Sequence, residues 1–145
     1  MNPIAPTELA ERLAGECIAF RVRVLNRVIT NLYDAVLKPF GITVNQTTIL
    51  AMLTLAGEVT PGEIGRELVM EKSTVSRNLE RMRKNGWIET GAQGIRVTGA
   101  GQALFTSLHP AWEEAQTNAE GLLGAAGIGA ILGLHQTMRG VRQQG

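Results

Sequence analysis

Ser73-Thr74-Val75-Ser76-Arg77-Asn78-Leu79-Glu80-Arg81-Met82-Arg83-Lys84-Asn85-Gly86 is the stretch that decides the fold. With Val75 set at zero and an advance of about 100° per residue, Leu79 and Met82 fall within about 40° of it. Ser73, Arg77, Glu80, Arg81 and Lys84 gather on the opposite side. The spacing predicts a helix from Ser73 to Asn85, apolar on one face and polar on the other, with Gly86 as a left-handed cap. From Lys72 to Asn85 five cations, Lys72, Arg77, Arg81, Arg83 and Lys84, stand against one acid, Glu80.

On the N-terminal side, Thr60-Pro61-Gly62-Glu63 is a strong helix start. Thr60 can accept from the Glu63 N–H, Glu63 can reach back, and Pro61 suits the first helical position. That helix is short, ending near Leu68, and a tight turn from Val69 to Lys72 leads into the basic helix. On the C-terminal side, Trp87–Thr90 and Ile95–Thr98 are short β-prone runs around Gly91-Ala92-Gln93-Gly94, and they predict a small hairpin. Helix, tight turn, helix and hairpin in this order are a winged helix-turn-helix.

Further out, apolar residues recur at helical spacing from Glu8 to Lys38 in two series, one through Leu9, Leu13, Cys17, Phe20, Val24 and Val28. The other runs through Ile18, Val22, Leu25, Ile29, Leu32 and Val36. One long helix with a stripe wide enough to pack between two bodies is expected. Pro39 and Gly41 end it, and Thr43 sits as N-cap of a second helix running to about Ala56. Beyond the hairpin, Thr98 can cap a helix carrying Leu104, Phe105, Leu108 and Trp112, with a kink at Pro110, and Ile128–Met138 offers a last, weaker helix.

The fold class expected is mainly α with a small β-hairpin: residues 41–98 form the winged helix-turn-helix, and 1–40 with 99–145 form a helical dimerisation region. At 145 residues the chain fits one intertwined domain.

Near its N-terminus the basic helix offers Ser73, Thr74, Ser76, Arg77 and Asn78, a set suited to base edges and phosphates in a major groove. Arg81 and Lys84 are placed to meet phosphate. Arg96, the one basic residue of the hairpin, is a further DNA-contact candidate; it sits on a strand and suits packing or a phosphate contact, not insertion at the wing tip. The net charge of +1 makes no case for nucleic acid by itself, so the case rests on this local cluster. A basic helix face is most often merely solvated. The alternative is a winged-helix protein-interaction module without DNA binding.

Ordered landmarks raise the case above that alternative. Gly41-Ile42-Thr43, Gln46 and Ile49-Leu50 are followed by Ile64-Gly65-Arg66-Glu67-Leu68 and by Lys72 through Leu79. Asn85-Gly86-Trp87-Ile88 and Val97-Thr98-Gly99-Ala100-Gly101 complete the series. Over nearly its whole length the chain resembles the MarR family of bacterial regulators. The resemblance implies a homodimer joined through its terminal helices, with each basic helix in a major groove of palindromic double-stranded DNA and each wing beside the minor groove. It implies a ligand-responsive repressor, with a small anionic aromatic effector bound where the DNA-binding and dimerisation parts meet; Arg23, Arg27, Phe105 and His109 are the candidates to line that junction. The family's longer wing carries an Asp-x-Arg motif, whereas here about a dozen residues separate Gly86 from Thr98 and none is aspartate.

The remaining features restrict the chemistry. Composition is ordinary for a globular domain, 44% hydrophobic and 19% charged. The single cysteine, Cys17, excludes an internal disulfide or a cysteine-based zinc site. Its place between Leu13 and Phe20 suits a buried, inert thiol, out of register with Tyr33 for the cysteine–tyrosine pattern of peroxide-sensing members of the resembled family. His109 and His135 have no companions at ligand spacing, so neither a metal nor another cofactor is expected. No paired carboxylates, phosphate loop or nucleophile motif suggests an enzyme. The apolar stretch from Gly121 to Leu134 is shorter than the ~20 residues of a membrane span. No secretion signal is recognisable, and a cytoplasmic location is expected.

Overall fold

The computed structural model describes residues 3–143; residues 1–2 and 144–145, the outermost parts of the expected helical regions, lie outside the described residues. Seven helices and one hairpin follow in the order α1 (Pro6–Glu16), α2 (Ile18–Leu37), α3 (Val44–Ala56), α4 (Pro61–Leu68), α5 (Lys72–Lys84), β1 (Ile88–Thr90), β2 (Ile95–Val97), α6 (Gly99–Ser107) and α7 (His109–Gln143). A single 3₁₀ turn, Lys38–Phe40, closes on Gly41 at φ 71° and ends the N-terminal helical arm.

The local start signals operate as side-chain chemistry. Thr43 accepts from the Gln46 N–H at 3.2 Å, and Gln46 Oε1 accepts from the Thr43 N–H at 3.2 Å, which caps α3. Thr60 and Glu63 repeat the exchange at α4, and Thr98 accepts from the Gly101 N–H at 3.1 Å at α6. The helix expected at Ser73 begins one residue earlier, at Lys72, with Glu71 as a cap that makes no side-chain hydrogen bond.

Two expectations fail. The single helix over Glu8–Lys38 breaks at Cys17, whose backbone is extended at ψ 115°. The break frees the Gly15 carbonyl from the helical ladder, and the Arg21 guanidinium donates to it. Cys17 is accordingly half-buried at a helix junction, not enclosed in a core. The second concerns the C-terminal arm: Pro110 does not kink a helix but stands in the first turn of α7, where its missing N–H costs no bond. The separate helix expected over Ile128–Met138 is the far part of α7, set off from the near part at Gly124 (φ 69°). His109–Val141 is long and apolar enough to cross a membrane: its most apolar 18-residue window has a mean hydropathy of 1.2, and none of that window is buried. Gly124 interrupts that window, and the buried residues described in α7, Ala111, Ala115 and Ala119, all precede it.

The core lies under the helix-turn-helix, where Ile49, Leu50, Leu53, Ile64, Val75, Leu79, Met82 and Ile88 are all within 4% of full burial. β1 and β2 pair antiparallel, Ile88 opposite Val97 and Thr90 opposite Ile95. Val59 adds a bridge on the other edge, exchanging both backbone bonds with Ile95 at 2.8 and 3.0 Å. Gly101 is required where α6 meets the hairpin: a Cβ there would lie 2.1 Å from the Trp87 carbonyl oxygen. Two polar contacts join α2 to its neighbours, since the Asp34 carboxylate accepts from the Val44 N–H at 2.7 Å and the Tyr33 hydroxyl donates to Gln116.

The turn between α4 and α5 is made at Val69, held at φ 52°, ψ 51°, the one non-glycine residue with positive φ among those described. A β-branched side chain in this region costs about 1–3 kcal/mol, and at 74% exposure Val69 recovers little of that by burial. Val69→Gly is expected to stabilise the protein by about 1 kcal/mol, because relief of strain exceeds the ~0.5–1 kcal/mol entropic penalty of glycine. Denaturant unfolding at fixed protein concentration measures it, and an unchanged or lower midpoint would mean that the turn holds no strain.

Glu63 is held below its ordinary value of 4.5, first by the Thr60 N–H, then by the Thr60 hydroxyl and the charge of Arg66. A lowered folded-state value makes the contribution complete above about pH 4.5 and loses it as the pH falls through the depressed value. The stability difference between wild type and Glu63→Gln is therefore expected to be flat near neutrality and to shrink below pH 4.5. A difference that grows in acid would contradict this cap.

Candidate nucleic-acid interface

α5 is attached by one face. Val75, Leu79 and Met82 are 2%, 4% and 0% exposed, and each contributes about 1.5–3 kcal/mol by leaving water. That attachment turns Ser73, Ser76, Arg77, Arg81, Arg83 and Lys84 outward, all of them exposed. Thr74 and Asn78 are half-buried, and the Asn78 amide donates to the Thr74 carbonyl at 2.9 Å. Part of the donor capacity of Asn78 is thus used within its own helix. Lys84 pairs with Glu80 at 3.4 Å, an exposed i,i+4 contact that holds it loosely.

Arg77, Asn78, Arg81 and Lys84 come together along a groove of about 440 Å³, with Gln46 at its floor. Ser76 lies on the other flank, in a groove of about 560 Å³ between α4 and α5 that also carries Arg66, Lys72 and Arg83. Arg66 was not a candidate from sequence, because only the packing of α4 on α5 brings it beside the basic helix. The capped starts of α3, α4 and α6 contrast with α5, whose first-turn N–H groups meet no capping side chain.

Arg96 is held in the hairpin. Its Nε donates to Glu89 Oε1 at 2.9 Å, and a second guanidinium nitrogen lies 3.4 Å from Glu58 Oε1. The hydrogen bond and charge of Glu89, then those of Glu58, push the guanidinium further up from its already high value.

Of the four effector candidates, Phe105 and His109 line one groove of about 620 Å³ with Val44, Thr47, Thr48, Ala51 and Trp112. Arg23 and Arg27 are exposed on α2 and do not line it. His109 is 3.3 Å from Glu113, and no group of three or more potential metal ligands occurs among the described residues.

Residues 40–94 match the family model for the MarR family. An uncharacterised helix-turn-helix-type transcriptional regulator of Bacillus subtilis, YwoH, is 35% identical over 63 residues; the match spans 43% of this chain and 46% of that protein. The crystal structure of the M. tuberculosis transcriptional regulator MosR superposes with a TM-score of 0.75 at 28% identity, over 86% of this chain and 97% of that one. The same regulator solved in complex with DNA superposes at 0.71 with 29% identity, over 86% and 99%. The helix-turn-helix segment is thus similar to the MarR family of transcriptional regulators, and the remaining helices are laid out as in these solved regulators.

Proposed function

We propose that this chain acts as a homodimer that binds palindromic double-stranded DNA in a sequence-specific way and represses transcription until a small effector releases it. The observation that carries this is the two-sided α5, with Val75, Leu79 and Met82 anchored beneath and Arg77, Arg81 and Lys84 presented outside. Ser73, Thr74, Ser76, Arg77 and Asn78 are assigned to the major groove, with Arg77 as the reader of a base edge. Arg81 and Lys84 are assigned to phosphates. Uncapped N–H groups at the start of α5 suit a phosphate as well. Arg96 is assigned to the part of the wing nearest the duplex. MosR, similar over nearly its full length, has been solved with DNA.

Homodimerisation has its own support. Ile18, Phe20 and Val22 on α2, and Leu122, Leu132, Leu134 and Met138 on α7, are each more than half exposed, and a second copy covering them would remove that apolar area from water. On this account residues 1–40 and 99–145 form the dimerisation region around the winged helix-turn-helix of 41–98. The groove holding Phe105 and His109 is the seat assigned to the effector; Arg23 and Arg27 take no part in it within one protomer. The chain works in the cytoplasm, without a cofactor and without catalysing a reaction.

Selection of bound fragments from a random DNA pool is expected to enrich an inverted repeat with half-sites about one helical turn apart. Arg77→Ala should weaken binding by about 1–3 kcal/mol and relax preference at one base position. Arg81→Ala and Lys84→Ala should weaken binding evenly across sequences, each lowering the salt slope by about one. An unenriched pool, with chain association independent of salt, would favour a protein-interaction module instead.

A further inference from the structure

The wing is the part of the site whose charge does not match a nucleic-acid contact. From Trp87 to Thr98 the charged residues are Glu89 and Arg96 alone, and Glu58 is packed against them from the α3–α4 connection. Its carboxylate, 22% exposed, accepts from the Gln93 N–H at 2.7 Å and lies 3.4 Å from Arg96. Gly91 makes the approach possible, because a Cβ at that position would lie 2.1 Å from Glu58 Oε1. The hairpin tip closes on itself through the Gly91 N–H and the Gly94 carbonyl at 2.7 Å. Two carboxylates thus surround the one guanidinium and leave this corner with one surplus negative charge. A duplex carries a negative charge about every 1.7 Å, so such a corner gains nothing from approaching phosphate.

We propose that Glu58 is a positioning residue for the wing: it fixes the tip through the Gln93 N–H and, with Glu89, holds Arg96 as an internal strut, so that the wing brings no free cation to DNA. This rests on the DNA-binding function proposed above and narrows it, withdrawing Arg96 from the phosphate contacts and leaving the electrostatic part of binding to α5 and its flanks. Glu58 belongs to the segment that bridges Val59 to Ile95, so the wing is braced against the same backbone that starts α4.

Two measurements test the strut. In the free wild-type dimer the Gln93 amide is expected to exchange with solvent about tenfold more slowly than that of Ala92, and Glu58→Ala should remove the difference. Equal exchange in the wild type would overturn the proposal. In DNA binding, Arg96→Ala should leave the salt slope unchanged. The double variant Glu58→Gln/Glu89→Gln should bind tighter with a slope steeper by about one, and adding Arg96→Ala should cancel that gain. Arg96→Ala alone flattening the slope by about one would overturn the proposal, since Arg96 would already be on a phosphate. If the wild type binds no DNA, the DNA-binding function fails, and amide exchange still decides the strut.

Discussion

Burial of three side chains on one face of α5 is the constraint from which the remainder follows. Val75, Leu79 and Met82 fix the rotation of the helix about its own axis, and with it the direction in which every cation of α5 points. A shift of one residue in that register would turn each side chain by about 100° and carry Arg81 or Arg83 into the core, where an unpaired charge is far costlier than a lost methyl group. The core is built to receive those three residues. Ile49, Leu50 and Leu53 of α3 and Ile64 of α4 form its floor, and Ile88 closes it from the hairpin. The direction in which the cations of α5 face is therefore set by close packing of aliphatic groups on the opposite side of the helix.

The hairpin and the outer helices are tied to that core by backbone more than by side chains. Val59 and Ile95 exchange two backbone bonds, the Thr98 N–H donates to the Trp87 carbonyl, and Gly101 lies so near that carbonyl that no side chain fits. Position 101 is glycine because of close approach and not because of its dihedral angles. The half-buried Tyr33 phenol, pushed up first by burial and then by the charge of Glu120, keeps its proton and donates it to Gln116 across the α2–α7 contact.

How far the chain could be read without coordinates depended on range. Caps at Thr43, Thr60 and Thr98 and the left-handed Gly86 were legible because each involves partners only a few residues apart. The α5 faces were legible from helical period alone. The break at Cys17 was not, since only Gly15 marks it locally and its compensation comes from Arg21, a residue that the helical pattern assigns to ordinary solvent. The separation of Arg23 and Arg27 from Phe105 and His109 depends on how α2 is rotated against α3 and α6, which no local pattern encodes. The link between Glu58 and Arg96 spans 38 positions and exists only because Val59 joins the hairpin edge.

The Asp34 carboxylate seated on the first N–H of α3 has a mechanical consequence. It couples a long arm to a short one: a hydrogen bond ties α2 to the leading turn of α3, and α3 packs directly on α5. Close-packed layers transmit a pull as a rigid displacement instead of absorbing it. In the homodimer proposed above, a shift of α2 would be carried through α3 to α5 and would change the distance between the paired basic helices.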